Sequence, residues 1–141
     1  MVIYIDGTDV ILGRLSSIVA KKLLEGEEVV ILNAENVAIV GKRDRIFAEF
    51  KEKREIGSSR KGPFYPRMPD RIVKRTVRGM LPRDRPKGRM ALKRLKVYIG
   101  TPAEFKGVKT EEIGEKAKVK GIKGTTYITV GDVARYLGAK F

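Results

Sequence analysis

The first 32 residues limit what this chain can fold into. Val2 to Ile5 is a short apolar, β-favouring run stopped by Asp6-Gly7, and Val29 to Leu32 is a second run of strand length. Between them, from Val10 to Glu25, the spacing changes to three and four through Leu12, Leu15, Val19 and Leu23. Thr8 or Asp9 is placed to cap the start of that helix, and Gly26 to end it. A strand, a helix and a strand over this length predict two parallel strands joined by a right-handed crossover. The chain therefore opens an α/β sheet.

Later segments extend the same plan. AENVAIVG, Ala34 to Gly41, is ambiguous between a strand and an irregular turn. Gly41 to Glu55 returns to helical spacing, with Ile46, Phe47 and Phe50 on one side and Glu49 four residues before Lys53. Gly57-Ser58-Ser59 breaks that helix, and the following Gly62, Pro63, Pro66 and Pro69 predict an exposed loop. Val97 to Ile99 reads as a further strand, closed by Gly100-Thr101-Pro102. Phe105 to Gly124 reads as extended or loop, Thr125 to Val130 as a strand and Gly131 to Leu137 as a closing helix. No repeat or linker divides the 141 residues, so a single domain is expected.

Charge is distributed very unevenly over this plan. Ser58 to Lys96 holds 14 Lys or Arg against Asp70 and Asp84, a net +12 of the chain's +14. Cations packed so closely repel one another unless something anionic meets them. The α/β body should thus come from residues 1–57 and 95–141, with 58–94 as a basic loop-and-helix extension. Inside the extension, Asp70 to Leu81 has two faces. At ~100° per residue, Arg71, Lys74, Arg75 and Arg78 share an arc of about 100°, and Ile72, Val73, Val77, Met80 and Leu81 take the rest. One face suits a core and the other suits anions. Gly79 and Pro82 place its end, and Pro86-Lys87-Gly88 separates it from a shorter helix around Arg89 to Leu95.

Several kinds of chemistry fail on residue type or spacing. With no Cys and no His there is no disulfide, no thiolate, and neither the usual general base nor the commonest metal ligand. The turn DGTDVILGR puts Gly7 and Gly13 too far apart for a dinucleotide fingerprint, and Val40-Gly41-Lys42 has Asn36 and Arg43 where a phosphate loop needs Gly and Ser or Thr. Glu25, Glu27 and Glu28 read as a solvated turn, and Ser58-Ser59-Arg60-Lys61 as part of the cationic loop. No apolar run approaches the roughly 18 residues of a membrane helix. No cofactor, metal, small-molecule substrate or membrane partner is expected, and the chain is expected to be soluble and intracellular.

The basic stretch survives the same scrutiny. A pI near 10.1 exceeds the value of about 9 that marks basic nucleic-acid-binding domains. Arg suits bidentate phosphate contact, and Phe64-Tyr65 sits within the loop as a pair of base-stacking rings. Loops and bulges of RNA accept such stacking, while its duplexes are read by shape and phosphate contact. RNA is the expected partner.

RTVRGMLPRDRPKGRMALKRLKVYIGTP, Arg75 to Pro102, resembles the signature region of protein thirteen of the large ribosomal subunit, the universal L-thirteen family. Asp6 followed by Leu12 to Leu15 (LGRL), and LNAENVAIVG from Leu32 to Gly41, agree with the same family in order and spacing. The loop GPFYPRMPDRIVKRTVRGMLP resembles archaeal and eukaryotic-type members. Where bacterial members carry His after the KVYIG strand, this chain has Ala103-Glu104-Phe105 behind Gly100-Thr101-Pro102.

The resemblance implies a three-layer α/β/α domain with a small, mainly parallel four-stranded sheet. It also implies a non-enzymatic, cytoplasmic constituent of the large ribosomal subunit that binds its RNA, touches neighbouring ribosomal proteins and supports assembly. An extraribosomal RNA- or mRNA-binding regulator using the same patch is the alternative, and an RNA-modifying enzyme is a third reading. The expected RNA contacts are Arg60, Lys61, Phe64, Tyr65, Arg67, Arg71, Lys74, Arg75, Arg78, Arg83, Arg85, Lys87, Arg89, Lys93 and Arg94.

Overall fold

The computed structural model describes residues 2–55, 66–111, 117–118 and 126–141. Strand β1 (Val2–Asp6), helix α1 (Leu12–Leu24) and strand β2 (Glu28–Leu32) form the predicted crossover unit. β1 and β2 run parallel, pairing Ile3 with Val29 and Ile5 with Ile31. The cap on α1 differs from expectation. Ile11 stands at the N-cap without a side-chain bond, because Asp9 is left-handed (φ 61°) and Thr8 folds back on Asp6 instead. Gly26, at φ +96°, ends the helix in the conformation glycine adopts most readily.

A 3-10 turn at Ala34–Asn36 and strand β3 (Ala38–Val40) resolve the ambiguous stretch. Helices α2 (Arg43–Glu55), α3 (Pro69–Gly79) and α4 (Pro86–Lys93) follow, then β4 (Leu95–Val97), β5 (Tyr127–Thr129) and α5 (Val130–Tyr136). β4 joins the free side of β2 in parallel, giving the order β1-β2-β4. Pro86 belongs to α4 and does not separate it from what precedes, since a proline at the first helical position loses no hydrogen bond.

Ile3, Ile5, Val29, Ile31 and Leu95 line one face of this sheet. Against them pack Leu15, Val19 and Leu23 of α1 and Ile72, Val73 and Val77 of α3, all buried in one core. Each fully buried side chain of this size is worth roughly 1.5–3 kcal/mol. α3 is therefore half of the sheet's cover as well as part of the basic extension.

The result is α/β with a mainly parallel sheet, as the resemblance implies, but it differs in one detail. The four-stranded sheet becomes three parallel strands plus a separate antiparallel ribbon, in which β5 pairs with β3 (Ala38 with Thr129, Val40 with Tyr127). The second face of the main sheet carries Tyr4, whose ring meets Phe105 at 5.6 Å, and Phe105 meets Tyr98 at 5.3 Å. The Glu111 amide donates to the Tyr4 carbonyl at 2.7 Å and so occupies part of the outer edge of β1.

Candidate nucleic-acid interface

α3 begins where Met68 leaves the chain extended and Pro69 takes the first helical position. Its inward face, Ile72, Val73 and Val77, has no exposed surface. Its outward face carries Arg71 and Lys74 exposed, with Arg75 and Arg78 half-buried beside them. The four cations form one surface because the apolar positions between them are held in the core.

After Leu81 the chain turns sharply into α4. The Arg85 amide donates to the Pro82 carbonyl at 3.1 Å, and the Gly88 amide donates to the Arg85 carbonyl at 3.1 Å. Gly88 passes so close to Pro82 that a Cβ there would stand 2.0 Å from the Pro82 carbonyl oxygen. Only glycine permits that approach. Arg89 donates through Nη1 to the carbonyls of Arg83 at 3.3 Å and Asp84 at 3.5 Å, bracing the turn from the helix side.

This turn displays Arg83, Arg85 and Lys87 to solvent at the N-terminus of α4. Cations there oppose the helix dipole by about 0.3–1 kcal/mol each. A phosphate resolves the conflict, since dipole and side chains then both face negative charge. Among the described residues Arg71, Lys74, Arg78, Arg83, Arg85 and Lys87 have no carboxylate within 4.0 Å. The ion pairs Lys22–Glu111 (3.1 Å) and Arg45–Glu49 (3.9 Å) lie elsewhere.

Not every expected cation faces outward. Arg94 turns in and donates through Nη2 to the carbonyl of Leu23 at 2.7 Å, closing the last turn of α1. Lys93 is exposed, and so is Arg67 just ahead of α3. Arg60, Lys61, Phe64 and Tyr65 lie outside the described residues.

The other place where an α/β sheet takes ligands is the crevice beyond the carboxyl ends of its strands. Here the chain's own polar groups fill it. Asn33, left-handed at φ 57°, donates through Nδ2 to Asp6 Oδ1 at 3.0 Å and accepts from Thr101 Oγ1 at 3.2 Å. Glu35 Oε2 accepts from the Gly100 amide at 2.7 Å, and the Asn33 amide donates to the Gly100 carbonyl at 2.9 Å. Burial works to raise the Asp6 carboxyl, but hydrogen bonds from Asn33 and Thr8 and the charge of Lys118 outweigh it, so it sits below the usual carboxylate range. The crevice is a structural knot that ties β1, β2 and the segment after β4 together. Sequence reading missed it because its members come from three separate segments.

A cationic surface on a core helix and an arginine-rich turn describe a surface suited to anions, while the sheet's crevice is filled by the chain's own side chains. The comparison with known proteins agrees. Residues 1–104 match the family model described as ribosomal protein L13. The chain belongs to that family. Among its relatives, a large ribosomal subunit protein uL13 from Methanosarcina barkeri is 49% identical over 138 residues, covering 97% of this chain and 98% of the relative. A protein of the same name from Archaeoglobus fulgidus is 48% identical over 134 residues, covering 95% and 86% respectively. The one from Methanosphaera stadtmanae is 46% identical over 145 residues and covers both chains completely. The archaeal resemblance seen in the loop and signature blocks thus extends over nearly the whole chain. Among the described residues no helix is long and apolar enough to cross a membrane.

Proposed function

We propose that this chain is a structural constituent of the large ribosomal subunit in the cytoplasm, where it binds large-subunit ribosomal RNA, touches neighbouring ribosomal proteins and supports assembly of the particle. The observation that carries this reading is the two-sidedness of α3. Its apolar side completes the core and its cations stand outward without carboxylate partners among Arg71, Lys74 and Arg78, continuous in sequence with the Arg83–Lys87 turn. Arg67, Arg71, Lys74, Arg75, Arg78, Arg83, Arg85, Lys87 and Lys93 contact phosphates directly. Arg89 and Arg94 hold the turn and α1 in place behind them.

The test is the salt dependence of binding to in-vitro-transcribed large-subunit ribosomal RNA. Each phosphate contact contributes about 0.7–0.9 to the slope of log affinity against log salt. Replacing Arg71, Lys74, Arg75 and Arg78 together by Gln should lower that slope by roughly 3. An unchanged slope would remove α3 from the interface.

A further inference from the structure

The stacked rings of Phe47 and Tyr136 lie outside the cationic stretch and have no part in the interface described so far. Their centroids are 4.4 Å apart and their planes differ by 3°. They bring α2 and α5 together across 89 residues of sequence. The pair is only partly covered. On α5, Val130, Val133 and Ala134 are fully buried, yet Tyr136 remains 47% exposed. The column of stacked rings ends at the surface.

Guanidinium groups sit on two rings of these segments. The Arg43 guanidinium carbon lies 5.0 Å from the Phe47 centroid, and the Arg135 guanidinium carbon 4.5 Å from the ring centroid of Phe141, itself 44% exposed. Lys42 and Lys140 are exposed nearby in sequence. Of the acids on these helices, Asp132 closes the capping box with Thr129 and Glu49 lies 3.9 Å from Arg45, while Asp44, Glu52 and Glu55 also stand on α2. The patch also continues into the basic surface, because Arg67 Nη1 lies 3.6 Å from where a Cβ on Gly138 would stand, and α5 packs on α3. Exposed aromatic faces bordered by arginines are the surface on which unpaired nucleobases stack, with backbone phosphates held by the cations alongside.

We infer that Tyr136, backed by Phe47 on whose ring Arg43 sits, is a stacking platform for an unpaired base of the RNA that the basic face holds by its phosphates. This rests on the RNA-binding reading above and adds a second, non-electrostatic contact on another side of α3.

The experiment measures affinity of the full chain for in-vitro-transcribed large-subunit ribosomal RNA at several salt concentrations, for the unaltered chain, Tyr136→Phe and Tyr136→Leu. Loss of one stacked base lowers affinity about 5- to 150-fold. Tyr136→Leu should show that loss with its salt slope unchanged, and Tyr136→Phe should stay close to the unaltered chain. If Tyr136→Leu binds as tightly as the unaltered chain while the fourfold Gln variant of α3 is weakened, the platform is refuted and the phosphate-binding face stands. If the unaltered chain binds no such RNA, both fall. Ultraviolet crosslinking of the unaltered chain needs no variant to fold: a nucleotide mass on the peptide containing Tyr136 supports the platform, and its absence from that peptide overturns it. Should Tyr136→Leu instead lose a neighbouring ribosomal protein with RNA affinity intact, the patch is a protein-docking face and the inference is wrong.

Discussion

Gly79 and Gly88 are both helical glycines, yet a methyl group added to each meets different surroundings. At Gly79 nothing lies within 4 Å of the added carbon, whereas at Gly88 the Pro82 carbonyl oxygen is 2.0 Å away. Alanine normally improves a helix interior by about 1 kcal/mol over glycine. Gly79→Ala should therefore be neutral or mildly stabilising, while Gly88→Ala should destabilise by about 1–3 kcal/mol, because the clash is with backbone and cannot be relieved by a rotamer change. Urea midpoints of the two variants check this, and equal midpoints would contradict the close approach. Asp6 supplies a second prediction at this scale. Its folded carboxyl is held low by Asn33 and Thr8, so its stabilising contribution is full above the unfolded value near 3.9 and fades as pH falls below it. Asp6→Asn should lower the urea midpoint at pH 7 and leave a smaller gap at pH 3. A gap that stays constant with pH would show that the charge contributes nothing.

At the scale of the element, α3 shows how one helix divides its labour. Ile72→Ala removes a fully buried side chain and should cost about 2–5 kcal/mol, while Lys74→Ala, on the outward face, should stay within about 0.5 kcal/mol. RNA affinity should follow the reverse order once the folded fraction is accounted for, and chemical denaturation paired with RNA titration reads both. This helix was legible in the sequence because its apolar spacing and its charges repeat with the same period. The strands β1 and β2 and the helix α1 were legible for the same reason: each carries its own pattern within a dozen residues. The features that escaped are those made by residues distant in sequence. The pairing of β3 with β5, the reach of Arg94 to Leu23, the knot of Asp6 with Asn33 and the stack of Phe47 on Tyr136 have no local signal. The start of α4 escaped for another reason, since Pro86 serves equally as a helix breaker and as a first helical residue.

In the whole molecule the cations cannot be cut away from the fold. The basic extension sits between β3 and β4 in sequence, and its first helix covers the same sheet face as α1. A shortened chain lacking 58–94 would lose Ile72, Val73 and Val77 from the core along with the cations of α3 and of the turn after it. Only substitutions of outward side chains separate binding from stability.

The strand order β1-β2-β4 also has a consequence in time. β2 pairs on one side with a strand made before it and on the other with one made more than sixty residues later. At about 5–20 residues per second of synthesis, that second side stays bare for several seconds. Throughout this interval the growing chain emits its arginines and lysines one by one, and β4 carries the last of them, Lys96. The newborn protein has thus exposed its entire cationic stretch before its sheet can close, and whatever shields those charges meets a fold still being completed.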